Sequence, residues 1–303
     1  MMNDFISDLD KTAKAVAFQL TRILDDTATT GEIIRPPRLL AAMRHGALNG
    51  GKRLRPFLLL ESAKLFGARS DGVMQAACAL ELVHCYSLVH DDLPAMDDDD
   101  LRRGQPTVHK AYDDATAILA GDALLTLAFA VIINPAVHAD GAIRADLAAA
   151  LAAAAGPGGM AGGQMLDLAA ESAQTPFNEA EIRQMQAMKT GALIRFACEA
   201  GAIIAGASPK DRGILREFGT RMGFLFQVTD DILDAHSNVA TLGKAAGKDA
   251  GRKKATLVGL LGADAARDIR TAEAVFAAAL LEPFGQRAEV LQSALQFACE
   301  RSY

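Results

Sequence analysis

The sequence is poor in the residues that build disulfide-rich, sheet-rich or strongly cationic proteins. It has no tryptophan, three tyrosines and four cysteines, and its 31 lysines and arginines are outnumbered by 37 aspartates and glutamates. Cysteines without a CxxC spacing argue against a disulfide scaffold or a zinc site, so we expect reduced thiols packed as small apolar residues. The net charge of −6 argues against a nucleic-acid partner held by bulk positive charge. Any anion that binds here must be met by local clusters of cations.

Targeting signals are also lacking. The first sixteen residues, MMNDFISDLDKTAKAV, carry acidic residues where a secretory signal needs a basic end and an apolar run. The stretch that comes closest to membrane length, Ala115 to Val137, contains Asp122 and Pro135 and has no strongly basic flanks. We therefore expect a buried core helix there, no membrane span, and a cytoplasmic protein.

Helical patterning fills most of what remains. Half of the residues are hydrophobic, alanine and leucine dominate, and apolar residues recur at helical spacing between Gly- and Pro-containing breaks. This pattern predicts an all-α protein of roughly ten helices, without a β-hairpin, in which residues 1–303 form one domain. The segment Thr241 to Lys254, TLGKAAGKDAGRKK, has no apolar face and is predicted to be a mobile loop.

The first candidate site is an acidic run. His90-Asp91-Asp92-Leu93-Pro94-Ala95-Met96 is followed by four aspartates, which places six carboxylates within ten residues. Two carboxylates about 5 Å apart repel each other by about 3 kcal/mol at an effective dielectric near 20, so a folded cluster requires cations. Oxygen ligands without paired histidines or cysteines favour Mg²⁺. A solvated acidic turn is the alternative for this motif taken alone.

A second acidic group makes the metal interpretation stronger. Gln227, Asp230, Asp231 and Asp234 follow i, i+3, i+4 and i+7 spacing within an otherwise apolar helix, and they therefore share one helix face. Carboxylates that interrupt an apolar helix face the interior or a cleft, where unpaired charge is costly. We expect these carboxylates to form a second set of metal ligands.

Clustered cations supply the matching charge. They lie in Gly50 to Pro56 (GGKRLRP), in Arg102-Arg103, at Lys189 beside Thr190, and in the basic loop from Lys244 to Lys254. Guanidinium forks and ammonium groups are suited to diphosphates. Ordinary solvated surface charge is the alternative for any one of these groups alone.

Two other motif interpretations are weaker. GALNGGKR resembles a P-loop, but Arg53 stands where a serine or threonine would bind Mg²⁺, and the preceding segment is helical. His90-Asp91 could belong to a metal phosphohydrolase of the HD type, but that chemistry needs further histidine ligands and His84 is the only close candidate upstream.

Together, DDLPAMDDDDLRRGQPTVH, FQVTDDILD, GGKRLRP, the Lys189-Thr190 pair and the TLGK loop resemble the trans-isoprenyl diphosphate synthases, above all the bacterial farnesyl-forming branch. The resemblance runs from about Asn49 to Gly262. It implies an all-α domain with its helices around a central active-site cavity, Mg²⁺ as cofactor and a homodimer. It also implies condensation of isopentenyl diphosphate with dimethylallyl or geranyl diphosphate to form farnesyl diphosphate.

The resemblance also implies roles for individual residues. Those that would hold Mg²⁺ against the allylic diphosphate are Asp91, Asp92, Asp97, Asp230, Asp231 and Asp234. Those that would help to grip the same diphosphate are Arg102, Lys189 and Lys244. Those that would bind isopentenyl diphosphate are Lys52, Arg55, His84 and Arg103. Thr190 and Gln227 would lie beside the allylic carbons, and an aromatic residue at Tyr86 would limit the product to fifteen carbons.

Two alternatives remain at this stage. One is a geranylgeranyl diphosphate synthase, with the same chemistry and a longer product. The other, from a different class, is a non-catalytic helical partner subunit. Such subunits tend to lose one or both aspartate motifs, and both motifs are complete in this sequence.

Overall fold

The structure, a computed structural model, describes residues 2–241 and 255–301. In that part of the chain the secondary structure is almost entirely helical, which confirms the predicted fold class. The α-helices are α1 (Met2–Ile23), α2 (Pro37–Leu48), α3 (Leu54–Lys64), α4 (Asp71–Asp91), α5 (Val108–Ala111), α6 (Asp114–Ile132), α7 (Gly141–Ala155), α8 (Met160–Ser172), α9 (Glu179–Gln186), α10 (Ala192–Ile204), α11 (Pro209–Thr241), α12 (Leu257–Leu261), α13 (Ala263–Leu281) and α14 (Glu289–Glu300). A π-helical segment, Ala187–Gly191, joins α9 to α10, and a 3₁₀ segment, Glu282–Ala288, joins α13 to α14.

The chain divides into two compact units. The N-terminal unit comprises Ile6–Leu60 and Ala68–Ala148, and the C-terminal unit comprises the described residues among 2–5, 61–67 and 149–301. In the N-terminal unit, α4 packs along α6 and also contacts α2. The two long helices approach closely at Gly121, where an added Cβ would lie 2.1 Å from His90 Nε2. This close packing holds the end of α4, where the first acidic motif begins.

The C-terminal unit is built around α11. That helix packs against α10, α13 and α14 and against the π-helical segment. An added Cβ at Gly223 would lie 2.7 Å from Gly191 Cα, so glycine on both sides allows the two backbones to approach. The long helix carries the second acidic motif, and its continuity through Asp234 confirms that the four polar residues share one face.

A short β-hairpin corrects the expectation that no hairpin is present. Strands β1 (Leu101–Arg102) and β2 (Gln105–Pro106) pair in antiparallel register, with Leu101 opposite Pro106 and Arg102 opposite Gln105. The turn residues Arg103 and Gly104 have φ values of 54° and 77°, which match the right-handed twist of a two-residue hairpin. Strands of two residues have no alternating pattern, so apolar periodicity could not reveal them.

Two helices of the described chain are long and apolar enough to cross a membrane, judged by length and composition alone. In α4, 67% of the most apolar window is buried inside the structure, and in α6 the share is 44%. The first is therefore a core helix. The second corresponds to the predicted core helix between Ala115 and Val137, but it also exposes Ile118 and Leu119.

The four cysteines are free thiols, three of them buried. Burial raises the pKa of the Cys198 thiol and that of the Cys85 thiol to about 12. These thiols stay protonated and pack as apolar groups, as predicted.

Candidate functional site

The first acidic motif begins where α4 ends. Asp92 is the C-cap of this helix and is 3% exposed. Its Oδ1 accepts from Arg102 Nε at 2.7 Å, and burial raises the pKa of Asp92 although the Arg102 guanidinium opposes this. The backbone amide of Asp97 donates to the carbonyl oxygen of Asp91 at 2.8 Å, so the loop folds Asp97 back towards the helix end. The structure thus brings together Asp91, Asp92, Asp97 and Arg102.

A cationic cluster lies in the same unit. Arg55 Nη1 lies 3.2 Å from His84 Nε2. Burial, together with the guanidinium groups of Arg55 and Arg103, holds the pKa of His84 well below its usual range. The imidazole is therefore neutral at neutral pH, and its Nε2 accepts the hydrogen bond that Arg55 donates.

Arg103 is the third member of this cluster. Its guanidinium donates to Asn49 Oδ1 at 3.2 Å and to the carbonyl oxygen of Gly50. An added Cβ at Gly51 would lie 2.6 Å from this guanidinium, and the φ of 110° at this residue favours glycine. Lys52 is exposed on that loop. The family resemblance implies that Lys52, Arg55, His84 and Arg103 bind isopentenyl diphosphate, and all four lie in the N-terminal unit.

The second acidic motif is anchored by two amides. Asp231 is 5% exposed, and its Oδ1 accepts from Gln227 Nε2 at 2.9 Å. Its Oδ2 accepts from Gln186 Nε2 at 2.7 Å. Burial raises the pKa of Asp231 although both amides oppose this. Gln186 was not identified as a site residue from the sequence. Its only signal in the sequence is a polar residue shortly before the Lys189-Thr190 pair.

The π-helical segment presents Lys189 and Thr190. Lys189 Nζ pairs with Asp167 Oδ2 on α8 at 2.5 Å, and Thr190 Oγ1 donates to Gln227 Oε1 at 2.7 Å. An added Cβ at Gly163 would lie 2.1 Å from the backbone nitrogen of Lys189. Only glycine therefore allows α8 to approach the π-helical segment this closely. Single-turn π-helical insertions occur often at functional sites. Asp167 was also missed, because nothing in the sequence links it to a lysine on a later element.

Asp230 forms an ion pair with Arg301, which follows the last helix, α14. Arg301 Nη2 lies 2.8 Å from Asp230 Oδ1, and the guanidinium carbon lies 3.6 Å from the centre of the Phe226 ring. Asp234, one turn further along α11, is exposed. Arg301 was a third omission, since its partner is distant in sequence.

Tyr86 lies on α4 before the first acidic motif. It is half-buried, and its ring packs edge-to-face against His90 with centroids 5.8 Å apart. Burial raises the pKa of its phenol, with a smaller contribution from the Asp91 carboxylate. This position, close to Asp91, is compatible with the predicted role in product length, which stays a prediction.

Lys244 and nearly all of the predicted loop between Thr241 and Lys254 lie outside the described residues. Thr241 is the last residue of α11. The predictions for Lys244 and for a mobile segment therefore remain as they were made.

Among the described residues, no three histidine, cysteine or acidic side chains converge in a ready-made metal site. Three of the aspartates instead lie beside a cation or an amide: Asp92 beside Arg102, Asp230 beside Arg301 and Asp231 beside Gln186. Carboxylate oxygens such as these are ligands that hard cations take together with water and substrate oxygens.

Comparisons with known proteins agree with the motifs. The profile of the polyprenyl synthetase family matches residues 36–293. Farnesyl diphosphate synthase of Escherichia coli (strain K12) is 46% identical over 235 residues, covering 76% of this chain and 77% of the relative. The synthase of Geobacillus stearothermophilus with the same name is 38% identical over 293 residues, covering 96% and 95%. A crystal structure described as an apo FPP/GFPP synthase from Zymomonas mobilis has a TM-score of 0.87 at 39% identity, covering 98% of this chain and 99% of the other. The family match and the high coverage of these relatives mean that the chain belongs to the polyprenyl synthetase family.

Proposed function

We propose that this chain is a short-chain trans-prenyltransferase that condenses isopentenyl diphosphate with dimethylallyl or geranyl diphosphate to form farnesyl diphosphate. The observation that carries the proposal is the presence of two complete aspartate motifs together with a cationic cluster of arginines and a neutral histidine. A non-catalytic partner subunit would not need both. Membership of the polyprenyl synthetase family and the similarity to farnesyl diphosphate synthases support the same function.

The aspartates fit Mg²⁺ as cofactor. The donor set consists of carboxylate oxygens, and Asp92 and Asp231 are buried groups whose pKa is raised by burial, so a nearby cation would favour their charged forms. The residues that would hold Mg²⁺ are Asp91, Asp92, Asp97, Asp230, Asp231 and Asp234. When bound, Mg²⁺ would neutralise the charge that develops on the leaving diphosphate.

The side chains of the chain itself bind and orient the substrates. Arg102 and Lys189, with Lys244, hold the allylic diphosphate, whose C–O bond breaks to leave an allylic cation. The Thr190 hydroxyl donates a hydrogen bond to Gln227 Oε1, so the lone pairs of its oxygen remain available to the positive carbon. Because Gln227 is bound in turn to Asp231, this orientation is fixed.

The second substrate supplies the new bond. Lys52, Arg55, His84 and Arg103 hold isopentenyl diphosphate, whose double bond attacks the allylic carbon. The condensed cation then loses a proton to the departing diphosphate, which acts as the base. The nucleophile is the double bond of isopentenyl diphosphate, so no side-chain nucleophile is required. One C–O bond is broken, one C–C bond is formed, and diphosphate is released.

The stoichiometry of diphosphate release tests this reaction. The purified chain should release one diphosphate for each isopentenyl diphosphate consumed, and only when an allylic diphosphate is present. Release from isopentenyl diphosphate alone would indicate a phosphohydrolase. No release with both substrates would favour the partner-subunit alternative.

Arg103→Ala is expected to raise the KM for isopentenyl diphosphate more than that for geranyl diphosphate. Loss of a charged hydrogen-bonding fork costs about 1.5 to 3 kcal/mol, which corresponds to roughly ten- to 150-fold in affinity. Steady-state kinetics with each substrate varied in turn measure both values. Arg69→Ala, at another exposed arginine of the N-terminal unit, serves as control. Equal losses for the two substrates would contradict the assignment.

We also propose a homodimer that uses an apolar surface of the N-terminal unit. Ile33 is 98% exposed, and Leu119 on α6 is 57% exposed. Both line an apolar cavity of about 610 Å³ together with Leu127 and Ala130. An apolar surface of this kind in a single chain is typical of an interface.

Leu119→Asp is expected to convert the dimer into a monomer, because the new carboxylate would be buried without a partner. Light scattering after size-exclusion chromatography gives the molar mass. Val275→Asp, at another exposed apolar residue on α13, is the matched control and should remain dimeric. A wild-type chain that elutes as a monomer would exclude the proposed dimer.

The remaining proposals concern the chain as a whole. Residues 1–303 are proposed to act as one polyprenyl synthetase domain, supported by the family match over 36–293. A cytoplasmic protein without a membrane span is a further proposal, and the largely buried α4 supports the absence of a span.

A further inference from the structure

A buried ion pair lies beneath the cationic cluster. Arg53 Nη1 lies 2.5 Å from Glu81 Oε1, and both side chains are 2% exposed. Arg53 has a φ of 50°, a left-handed conformation that is uncommon for residues other than glycine. The attraction between the two charges offsets the cost of removing them from water.

The same guanidinium joins three elements of the N-terminal unit. Arg53 Nη2 donates to the carbonyl oxygen of Ala47 in the last turn of α2 at 2.5 Å. Glu81 belongs to the middle of α4, and Arg53 immediately precedes the first residue of α3. The pair therefore fixes where the loop between α2 and α3 lies against α4.

The residues that this loop and this helix present are the proposed isopentenyl diphosphate ligands. Lys52 immediately precedes Arg53, and Arg55 follows it by two positions. His84 lies about one helical turn after Glu81. The hydrogen bond between Arg55 and His84 joins the same two elements at the ligand side of the pair. Since Arg53 and Glu81 are enclosed, neither can touch a substrate.

We propose that Arg53 and Glu81 are positioning residues that set the spacing of Lys52, Arg55 and His84 for the diphosphate of isopentenyl diphosphate. This inference rests on the proposed function and deepens it. A buried pair contributes little stability compared with well-packed apolar residues of similar volume, whereas it specifies one geometry. Loss of the pair should therefore affect the affinity for one substrate more than it affects folding.

The double variant Arg53→Met/Glu81→Leu tests this separation. It is expected to unfold in urea near the wild-type midpoint, because both buried charges are removed together. Its KM for isopentenyl diphosphate should rise about ten- to 100-fold, because small displacements of binding groups have effects of this size. Its KM for geranyl diphosphate should change little. Calorimetric titration with isopentenyl diphosphate alone should show the same loss without any turnover.

The matched control removes another ion pair with a buried glutamate, this time in the C-terminal unit. Glu199 is paired with Arg212 at 2.8 Å and with the half-exposed Arg216 at 2.6 Å. Arg212→Met/Glu199→Leu should leave both KM values unchanged. Glu81→Asp is the second variant: it keeps the charge but shortens the side chain, and it should raise the same KM in a folded protein even if the double variant fails to fold.

The outcomes separate the inference from the proposed function. An unchanged KM for isopentenyl diphosphate in folded Glu81→Asp or in the folded double variant would overturn the positioning role while wild-type turnover stands. A wild-type chain that neither binds nor consumes isopentenyl diphosphate would overturn the proposed function and this inference with it.

Discussion

Replacement of Asp230 or of Asp91 with alanine is expected to slow turnover about 100- to 1000-fold at saturating substrate while the helical fold is retained. Each carboxylate is proposed to hold a cation against the leaving diphosphate, and that contact strengthens as the C–O bond breaks. The loss should therefore fall on kcat more than on the KM of either substrate.

The two positions differ in what the substitution leaves behind. Asp230→Ala removes the carboxylate that pairs with the largely buried Arg301 guanidinium. Asp230→Asn keeps a hydrogen-bond acceptor for Arg301 and is therefore the companion variant. Asp10→Ala, on the exposed face of α1, is the control. Circular dichroism reports the fold and diphosphate release reports the rate. Near-normal turnover in both Asp91→Ala and Asp230→Ala at limiting Mg²⁺ would contradict a role for both motifs.

Tyr86→Ala is expected to change the main product from fifteen to twenty carbons. Tyr86 precedes Asp91 by five residues on α4, which corresponds to roughly 7.5 Å along the helix axis at a rise of about 1.5 Å per residue. A tail that grows from a diphosphate held at Asp91 would meet the phenol ring at that depth. Truncation opens space without removing any of the proposed diphosphate contacts.

Chromatography of the dephosphorylated products measures this change directly. Tyr86→Phe keeps the ring and should still give mainly the fifteen-carbon product. If Tyr86→Ala is active and still stops at fifteen carbons, the side chain only packs the helix. A wild-type chain that already gives twenty carbons would favour the geranylgeranyl alternative.

Local patterns predicted most of the fold. Prolines at the starts of α2 and α11 coincide with predicted breaks, because proline fits the first turn of a helix. The shared face of Gln227 and Asp231 was likewise predictable, since spacing along one helix determines it. These features depend on residues within a few turns of each other.

The features that the sequence did not reveal depend on distant residues or on unusual backbone geometry. Gln186 reaches Asp231 across 45 positions, and Asp167 meets Lys189 from a different helix, so no local spacing could pair them. The π-helical segment and the left-handed Arg103 at the hairpin turn leave no apolar periodicity. Likewise, the sequence grouped Arg53 with the clustered cations that suit diphosphates, whereas the fold encloses it beside Glu81.

The most direct test of the central claim is to incubate the purified chain with isopentenyl and geranyl diphosphates, with Mg²⁺ or with excess chelator, and to identify the products. A Mg²⁺-dependent prenyltransferase with the proposed specificity should form farnesyl diphosphate with Mg²⁺ and no condensation product with chelator. Absence of any condensation product with Mg²⁺, or equal amounts of product in both incubations, would contradict it.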